Sequence, residues 1–544
     1  GRWGKVNVGN IRSEEFDMIE TRESVAEVTA SYNPATGERI GSTPLNTPQD
    51  VKEAVARARE AQGEWATRPI SERADLLLRV RAHIVERAQE LAATISADNG
   101  KTRVDALSTE VIPAALAVTY YTRKAQEFLK DRRLGTGSLL FANKRSRVVR
   151  VPWGVVGIIS PWNYPFGIPF SEVIMALLAG NAVILKVATE TQLVGKALEA
   201  CIGAAGLPSG LFAYVSLPGK QAGSALLEAG VNKLFFTGSV AVGQELMAEA
   251  SRTLTPLSLE LGGNDAMLVC EDADLDRAAA GALWAGMQNA GQSCGGVERI
   301  YVHEAVYEEF LRLLKQRVEA LRVGQDRDFE VDVGAMTTRR QLETVRRHVQ
   351  DALSKGAALY ASSRSPQDSK GLFLPAMVVT NVDHGMLLMR EETFGPVVGV
   401  MKVKDMDEAV ALANDSNLGL TGSVWSRDSS RADALARRIQ AGAVTINDHL
   451  MSHGLAETPW GGFKQSSLGR THGAIGFDEM TQPQVIIHDV LPRLKRDLWW
   501  HPHGRRVYEG LLGILDVLYA TSLGRRLSGL WRLLGLVPRM FKVS

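Results

Sequence analysis

Hydrophobic residues recur at helical spacing near the start of the chain. Between residues 50 and 99 they follow one another at three- or four-residue intervals, and helical spacing continues over 111–129. This is the period of one face of an α-helix, so we predict helices over both stretches. The positions that define the first pattern are Val51, Val55, Ala58 and Ala61.

From residue 153 onward, short apolar runs alternate with longer amphipathic stretches. Buried strands separated by helices are typical of βαβ units and a parallel sheet. A second alternating stretch covers 300–446, so we predict an α/β protein with two such domains. The predicted strands of the first are 155–160, 182–185, 212–215, 233–236 and 257–261, and its helices are 168–178, 191–204, 221–227 and 242–250.

Length and composition narrow the class of protein. The 544 residues suffice for about three domains, and 45% hydrophobic with 23% charged residues is typical of a globular protein. A net charge of +1 argues against nucleic-acid binding. Three cysteines without a CxxC or Cys/His cluster predict no disulfide framework and no metal site. Residues 1–30 lack an apolar run of signal-peptide length, so we expect a cytoplasmic protein.

Two segments contain residues suited to covalent catalysis. In 291–296 (GQSCGG), Cys294 stands among glycines, where the backbone can approach a ligand closely and the thiol is uncrowded. A buried structural cysteine is the alternative on this segment alone. In 259–263 (LELGG), Glu260 stands between leucines, an unfavourable place for a carboxylate unless it is paired or used. The alternative is a strand-terminal carboxylate that faces water.

Two further segments follow predicted strands, at the sheet edge where ligands bind in open α/β folds. In 160–166 (SPWNYPF), two prolines fix a turn and Asn163 offers an amide donor, although asparagine is also common in ordinary turns. In 236–243 (FTGSVAVG), a strand leads into a helix whose N-terminus, with Ser239, could bind an anion. A plain helix cap explains the same residues. The usual dinucleotide fingerprint does not occur in the sequence.

In order and spacing, these four segments resemble the aldehyde dehydrogenase superfamily. Further matches are Leu185-Lys186, 391–396 (EETFGP) and 459–464 (PWGGFK). The resemblance covers about 31–487 and implies two open parallel-sheet Rossmann-like domains with a small β oligomerisation arm. A C-terminal helical extension follows. The implied division is 31–137 with 153–262 for cofactor binding, 263–464 for catalysis, 138–152 with 465–490 for the arm, and terminal segments 1–30 and 491–544.

The resemblance implies oxidation of an aldehyde to the carboxylic acid with NAD(P) and water. Cys294 would attack the aldehyde carbon as a thiolate, and loss of hydride from the thiohemiacetal would leave a thioester. The Asn163 amide and the backbone N–H of Cys294 would stabilise the oxyanion. Glu260 would activate the water that hydrolyses the thioester.

The resemblance also implies the binding residues. Lys186 would contact the adenosine ribose and Ser239 the pyrophosphate, while Glu392 and Phe394 would position the nicotinamide ribose and ring. The expected cofactor residues are Ser160, Pro161, Trp162, Lys186, Thr189, Gly238, Ser239, Gly243, Leu261, Gly262, Glu392 and Phe394. The expected lining of the substrate tunnel is Trp162, Phe166, Ser293 and Trp460.

Departures from the family pattern affect both ligands. Many relatives have, at the position of Thr189, a Glu that repels a 2′-phosphate, so we expect NAD or NADP, with NAD slightly favoured. The neighbouring Glu190 could restore part of this repulsion. Thr471 replaces a second carboxylate that the family often has. His449 and His453 lie where relatives select substrate, and we expect them to be loop residues rather than catalysts.

The C-terminal extension, 491–544, differs in composition from the rest of the chain and lies outside the family resemblance. Its basic residues outnumber the acidic ones, and no apolar run reaches the ~20 residues that cross a bilayer. Two interpretations remain open: an in-plane helix on anionic lipid, which would place the protein at a membrane periphery, or packing on the protein's own oligomer or over a substrate entrance. The residues that share one helical face are Leu523, Leu527, Leu530, Trp531 and Leu534.

We therefore predict a non-acylating aldehyde dehydrogenase, a homodimer or homotetramer by resemblance, acting on a small-molecule aldehyde. Lipid binding by the extension would favour medium- or long-chain aliphatic aldehydes. A succinate-semialdehyde type of enzyme is the nearest alternative, weakly disfavoured because no arginine stands out in the tunnel segments. A CoA-acylating relative is a less favoured alternative, because such enzymes generally lack the carboxylate that Glu260 supplies. An inactive structural homologue is disfavoured because it would not need Cys294, Glu260 and Asn163.

Overall fold

The computed structural model describes residues 27–366, 370–491 and 493–541, so the predicted N-terminal segment lies outside the described residues up to residue 26. Strands and helices alternate through most of the chain. The strands are β1 (Val28–Tyr32), β2 (Arg39–Pro44), β3 (Arg132–Leu134), β4 (Lys144–Pro152), β5 (Val155–Ser160), β6 (Ala182–Val187), β7 (Phe212–Tyr214), β8 (Lys233–Thr237), β9 (Leu257–Glu260), β10 (Asp265–Val269), β11 (Val297–His303), β12 (Ala358–Ser362), β13 (Met377–Thr380), β14 (Val397–Val403), β15 (Leu418–Gly419), β16 (Thr421–Trp425), β17 (Ala443–Ile446), β18 (Phe463–Lys464), β19 (Ser467–Leu468) and β20 (Thr481–Asp489).

The helices cover the faces of the two large sheets. They are α1 (Pro48–Thr67), α2 (Ile70–Glu86), α3 (Ala88–Asn99), α4 (Arg103–Ala106), α5 (Ile112–Phe128), α6 (Gly167–Leu178), α7 (Gln192–Gly203), α8 (Gly219–Glu228), α9 (Val240–Ala250), α10 (Leu275–Met287), α11 (Tyr307–Ala320), α12 (Arg339–Ser354), α13 (Leu387–Arg390), α14 (Met406–Asn414), α15 (Ser429–Ala436), α16 (Met451–Gly454), α17 (Gly473–Glu479), α18 (Arg505–Tyr519) and α19 (Leu523–Leu534).

The first domain is built on a six-stranded sheet with the order β19-β9-β8-β5-β6-β7. Strands β5 to β9 run parallel, and β19 pairs antiparallel at one edge. The five predicted strands and four predicted helices of this region are all present, with ends displaced by one or two residues. The central strands β5, β6 and β8 are buried throughout because helices cover both faces of the sheet.

The second domain contains a seven-stranded sheet with the order β12-β13-β14-β11-β10-β16-β17. All of its pairings are parallel except that of the edge strand β12 with β13. Each large sheet has its own hydrophobic core. The predicted α/β fold with two parallel-sheet domains is thereby confirmed.

The helical stretch predicted before residue 100 consists of α1, α2 and α3. Pro69 precedes α2 and Arg87 separates α2 from α3, with non-helical backbone angles at both positions. The indole of Trp65 in α1 donates to the carbonyl of Leu177, which fixes these helices on the first domain. The other predicted helix corresponds to α5, which follows a π-helical turn over Leu107–Val111.

A three-stranded antiparallel sheet, β20-β4-β3, forms the arm. β4 pairs with β20 over nine residues, from Pro152 opposite Thr481 to Lys144 opposite Asp489. Only part of the predicted arm belongs to this sheet, because β19 joins the six-stranded sheet instead. Oligomerisation through the arm, and the division into domains, stay predictions.

The C-terminal extension folds as a helical hairpin of α18 and α19. A small apolar cluster of Leu498, Ile514 and Leu536 packs against Leu140 next to the arm. The ammonium group of Lys144 adds an ion pair with Asp497 at 2.8 Å. Within the described ranges, no helix has the length and apolarity needed to cross a bilayer.

Candidate active site

Cys294 lies where two cavities meet. One cavity of about 310 Å³ and another of about 330 Å³ both have Cys294 in their lining. The glycines around it are required by close packing: a Cβ on Gly263 would lie 2.3 Å from the Cys294 carbonyl oxygen, and a Cβ on Gly295 would lie 2.9 Å from the Trp460 ring. The half-buried thiol is therefore accessible from two sides.

Asn163 is held beside the cysteine loop by hydrogen bonds. Its side-chain amide donates to the carbonyl of Gln292 at 3.2 Å, and the amide of Asn289 donates to the carbonyl of Asn163 at 2.9 Å. Asn289 has a left-handed backbone with φ 54°, which brings this loop back toward Asn163. An amide donor near the thiol is the arrangement that stabilises an oxyanion.

A buried ion pair that the sequence analysis missed supports the Asn163 loop. The ammonium of Lys101 donates to Glu110 Oε1 at 2.6 Å and to the Asn163 carbonyl at 2.8 Å. Glu110 Oε2 accepts from the backbone N–H groups of Phe166 and Gly167, at the start of α6. Lys101 stands in a polar run, DNGK, that resembles a surface turn, so the sequence gives no signal of its burial.

Glu260 ends β9 and its carboxylate is buried. It lines a small cavity of about 10 Å³ together with Cys294 and Glu172 of α6. Among the described residues, neither Glu260 oxygen has a hydrogen-bond partner, nor does Glu172 Oε2. Burial, followed by repulsion from Glu172, raises the pKa of Glu260 well above its usual value, and burial raises the pKa of Glu172 to about 8.

Glu172 is a second residue that the sequence analysis missed. It is the one charged residue in the helix sequence GIPFSEVIMALL, which is buried along its whole length. A lone carboxylate in a fully apolar helix costs free energy unless it has a function or a partner. This contrast with its neighbours is the signal that the sequence offered.

The thiol of Cys294 is also shifted toward its neutral form. Burial raises its pKa, and the nearby carboxyl groups of Glu392 and Asp265 add to the effect. The thiolate is the nucleophilic form of cysteine. Because a raised pKa leaves less thiolate at neutral pH, the resting site needs a base, or a bound positive charge, to produce the nucleophile.

The second cavity is lined by eight of the twelve residues that the sequence predicts to bind the cofactor. Ser239 caps the N-terminus of α9, where free N–H groups favour phosphate. A Cβ on Gly262 would lie 2.5 Å from Glu392 Oε2, so a glycine is required there. Of the predicted cofactor residues, Pro161, Trp162, Gly238, Ser239, Leu261, Gly262, Glu392 and Phe394 line this cavity; Glu190, Thr338, Arg340, Gln341 and Thr344 line it as well.

Glu392 and Phe394 are positioned by Glu298, another buried carboxylate. Glu298 Oε1 accepts from the N–H of Phe394 at 2.7 Å, and Glu392 Oε1 accepts from the N–H of Gly263 at 2.9 Å. The Phe394 ring meets the Trp162 ring edge-on, with centroids 5.4 Å apart. These contacts hold an aromatic ring and a carboxylate at the wall of the cavity next to Cys294.

Four predicted cofactor residues are not among those that line the cavity: Ser160, Lys186, Thr189 and Gly243. Lys186 is buried, which lowers its pKa to about 8. Gly243 lies within α9, where a Cβ would be 2.8 Å from the Leu261 side chain, so this glycine serves helix packing. Of the neighbours Thr189 and Glu190, only Glu190 is among the residues that line this cavity.

Two of the four predicted tunnel residues line the apolar cavity, Ser293 and Trp460. Trp162 lines the second cavity instead. Phe166 is fully buried and stacks on Phe170 at 5.3 Å in the core of the first domain. Although Phe166 is close to Asn163 in sequence, its side chain packs in this core and is not among the residues that line the apolar cavity.

The apolar cavity has no charged side chain in its described lining. Its residues are Ser108, Thr109, Ile112, Pro113, Leu116, Tyr164, Trp284, Gln288, Ser293, Cys294, Gly295, Leu450, Met451, His453, Gly454 and Trp460. Burial lowers the pKa of His453 to about 4, so its ring is neutral at pH 7. His449 does not line this cavity; its Nε2 lies 3.1 Å from the Gly295 carbonyl oxygen, and burial also lowers its pKa to about 4.

A cysteine thiol lies where two cavities meet, with a carboxylate and an amide beside it, and this arrangement is suited to an enzyme that uses a cysteine nucleophile. The comparison with protein families identifies which one. The chain belongs to the aldehyde dehydrogenase family, whose model matches residues 21–486, and it is an NAD(P)-dependent enzyme of that family.

The most similar proteins found differ in their named substrates. A 4,4′-diapolycopene aldehyde oxidase of a Methylomonas species is 39% identical over 91% of this chain and 92% of its own. A Mycobacterium ulcerans protein, named provisionally as an NADP(+)-linked succinate-semialdehyde dehydrogenase, is 39% identical over 83% of this chain and 86% of its own. A Mycobacterium tuberculosis aldehyde dehydrogenase solved with NAD+ is 32% identical, with a TM-score of 0.80 over 85% of this chain and 95% of that one.

Proposed function

We propose that this enzyme oxidises apolar aldehydes of medium or long chain to carboxylic acids, with NAD(P)+ and water. The observation that carries the proposal is the apolar cavity that ends at Cys294, whose described lining has no charged side chain. A hydrocarbon chain gains free energy on entering such a cavity. The carboxylate of a semialdehyde acid would lose its hydration there without a cationic partner, which disfavours the succinate-semialdehyde alternative.

Relatives point to both substrate classes. The Methylomonas protein is named for a diapolycopene aldehyde and the Mycobacterium ulcerans protein for succinate semialdehyde. Similar overall identity to the two does not decide between them, so the decision depends on the residues of the cavity. Ile112, Leu116 and Trp284 surround the route to Cys294, and these side chains favour the apolar substrate.

In the proposed mechanism, Cys294 gives its proton to solvent water, and its sulfur adds to the carbonyl carbon of the aldehyde. A C–S bond forms, and the carbonyl electrons move to oxygen, where the Asn163 amide and the Cys294 backbone N–H stabilise the charge. When bound, the dinucleotide supplies the hydride acceptor. Loss of hydride re-forms the C=O bond and leaves a thioester on Cys294.

Glu260 then takes a proton from water, and the resulting hydroxide attacks the thioester carbon. The C–S bond breaks, and the acid and the Cys294 thiolate are released. The cavity shared by Glu260 and Cys294, about 10 Å³, corresponds to about one water molecule, which supports this role. Glu172 in the same cavity is suited to receive the proton from Glu260.

The dinucleotide is expected to bind through residues that line the second cavity. The N-terminus of α9 with Ser239 would bind phosphate, and Glu392, Phe394 and Trp162 would hold the nicotinamide end. Glu190 lines the cavity and its negative charge would disfavour a 2′-phosphate, which supports a modest preference for NAD.

We further propose that subunits associate through β20. This nine-residue strand is the edge of the arm sheet, and its side chains Val485 and Ile487 are exposed. An unpaired apolar edge is a site for strand pairing with another chain. Val485→Lys should reduce the subunit number measured by light scattering, and an unchanged number would contradict this assignment.

The proposed reaction is tested by following reduced dinucleotide with aldehydes from two to twelve or so carbons, and with succinate semialdehyde. We expect kcat/KM to rise with chain length by up to about tenfold for each two buried methylene groups. Cys294→Ala should abolish turnover, while Cys201→Ala, at a buried cysteine that lines neither cavity, serves as the control. Faster turnover of succinate semialdehyde, or a CoA thioester as product, would overturn the proposal.

A further inference from the structure

The C-terminal hairpin turns its apolar side chains outward. On α19, Leu523, Leu527, Leu530, Trp531 and Leu534 share one face and are all exposed, Trp531 to 75%. The opposite face of this helix packs on α18 through Gly529. Helices of water-soluble folds place the apolar face inside, so this orientation is the reverse of the usual one.

The other helix of the hairpin, α18, also has exposed apolar side chains. On α18, Tyr508, Leu515, Leu518 and Tyr519 fall at helical spacing and are exposed, Tyr519 to 74%. Its buried positions are mostly small or polar, including Gly510, Gly513 and Asp516. An exposed apolar helix face of this kind marks a binding site rather than an ordinary protein surface.

The inner contact keeps the apolar faces outside. A Cβ on Gly513 would lie 2.5 Å from the Gly529 carbonyl oxygen, so the two helices touch at their backbones. Asp516 accepts from Arg525 at 2.7 Å and also pairs with Arg532. Turning α19 to bury its leucines would break these ion pairs and separate the glycines.

We propose that this hairpin binds the surface of an anionic lipid bilayer, lying in the plane of the interface. Residues 491–544 contain ten Lys and Arg against three acidic residues, so charge complementarity favours an anionic partner. Exposed tryptophan and tyrosine next to leucine suit the boundary between headgroups and acyl chains. Each helix is too short to cross the bilayer.

A second copy of the chain is a poorer occupant of this face. Two hairpins would bring two basic surfaces together, with Arg505 and Arg526 exposed on each. A cover over the protein's own substrate entrance is also disfavoured, because the described lining of the apolar cavity comes from residues 108–460. The inference does not depend on which aldehyde the enzyme oxidises.

The test is co-sedimentation of the full chain with vesicles of phosphatidylcholine alone, and of phosphatidylcholine with phosphatidylglycerol. We expect binding to the anionic vesicles that weakens as salt is raised. The double variant Leu527→Glu/Trp531→Glu should lower the bound-to-free ratio about tenfold or more. Leu254→Glu, at a leucine 86% exposed in the first domain, is the matched control and should bind as the parent does.

Aldehyde oxidation in solution should be equal in all three proteins, which confirms that they fold. Equal sedimentation of the double variant and the parent would overturn the proposal, as would absence of parent binding to anionic vesicles. Light scattering distinguishes lipid binding from the remaining alternative, which is a contact between two copies of the chain. If the double variant changes the subunit number, the face is a contact between copies and the lipid assignment is wrong.

Discussion

Lys101 and Glu110 form an ion pair whose two side chains are completely buried, with Nζ 2.6 Å from Oε1. Burial lowers the pKa of Lys101, and the neighbouring Glu110 opposes that shift. Because the lysine also binds the Asn163 carbonyl, the pair connects the packing of α6 to the oxyanion donor.

Lys101→Met should therefore destabilise the fold by about 3–5 kcal/mol, since it leaves a buried carboxylate unpaired. Denaturant unfolding measures this change, and kcat should fall as well because the Asn163 loop loses a contact. Lys124→Met, at an exposed pair with Glu127, should cost under about 1 kcal/mol. Equal losses from the two substitutions would contradict the structural role of Lys101.

Asn163→Ala should lower kcat by about 100- to 1000-fold, because it removes one oxyanion donor. The Asn163 amide also donates to the Gln292 carbonyl. Because the oxyanion charge develops only in the transition state, KM for the aldehyde should change much less than kcat. Steady-state kinetics with a single aldehyde separate the two parameters. A change confined to KM would assign Asn163 to substrate binding instead.

The rate of thioester hydrolysis should rise as pH increases above neutrality. Since burial and Glu172 raise the pKa of Glu260, its basic form is populated only at higher pH. Glu172→Gln removes the repulsion, so the rising limb of the pH profile should move to lower pH. Single-turnover acid release, measured across this range, checks the shift; movement toward higher pH would show that Glu172 assists Glu260 chiefly as a proton acceptor.

Glu190→Ala should improve kcat/KM for NADP relative to NAD by about three- to tenfold, as removal of an exposed charge permits. Glu190 lines the dinucleotide cavity, whereas its neighbour Thr189 is not among the lining residues. Thr189→Ala is therefore the control and should leave the ratio nearly unchanged. A larger effect of Thr189→Ala would contradict this assignment and would show that position 189 selects between NAD and NADP, as the family pattern indicates.

Ile112→Asp should lower kcat/KM for a long-chain aldehyde about tenfold or more, and for acetaldehyde only slightly. The side chain lines the apolar cavity and is partly exposed at its mouth, so the carboxylate meets the substrate chain and not the reacting carbon. Comparing the two substrates within one variant makes the test independent of expression level.

The sheets could be predicted because their strands are buried on both faces and appear as short apolar runs. Val155–Ser160 and Lys233–Thr237 are examples in which the predicted and observed ends differ by one residue at most. Cys294 and Glu260 could be named because motif order and spacing resemble a family. Neither would have been chosen from its own segment.

The rest depends on contacts between distant parts of the chain. Lys101 and Asn163 are 62 residues apart, and no local pattern announces their hydrogen bond. The resemblance predicted that Phe166 lines the tunnel, but its ring packs on Phe170 in the core of the first domain. The outward orientation of the apolar face of α19 likewise could not be predicted, because it depends on how α19 packs on α18.

Cys294 is the residue that the two large cavities have in common. In the proposed mechanism, the aldehyde and the dinucleotide would therefore reach the sulfur from separate cavities, and neither would occupy the path of the other. Chain-length selectivity and cofactor selectivity are in consequence separable properties of this enzyme. Each can be altered by substitutions in its own cavity, and an acid product can depart while the nucleotide stays bound.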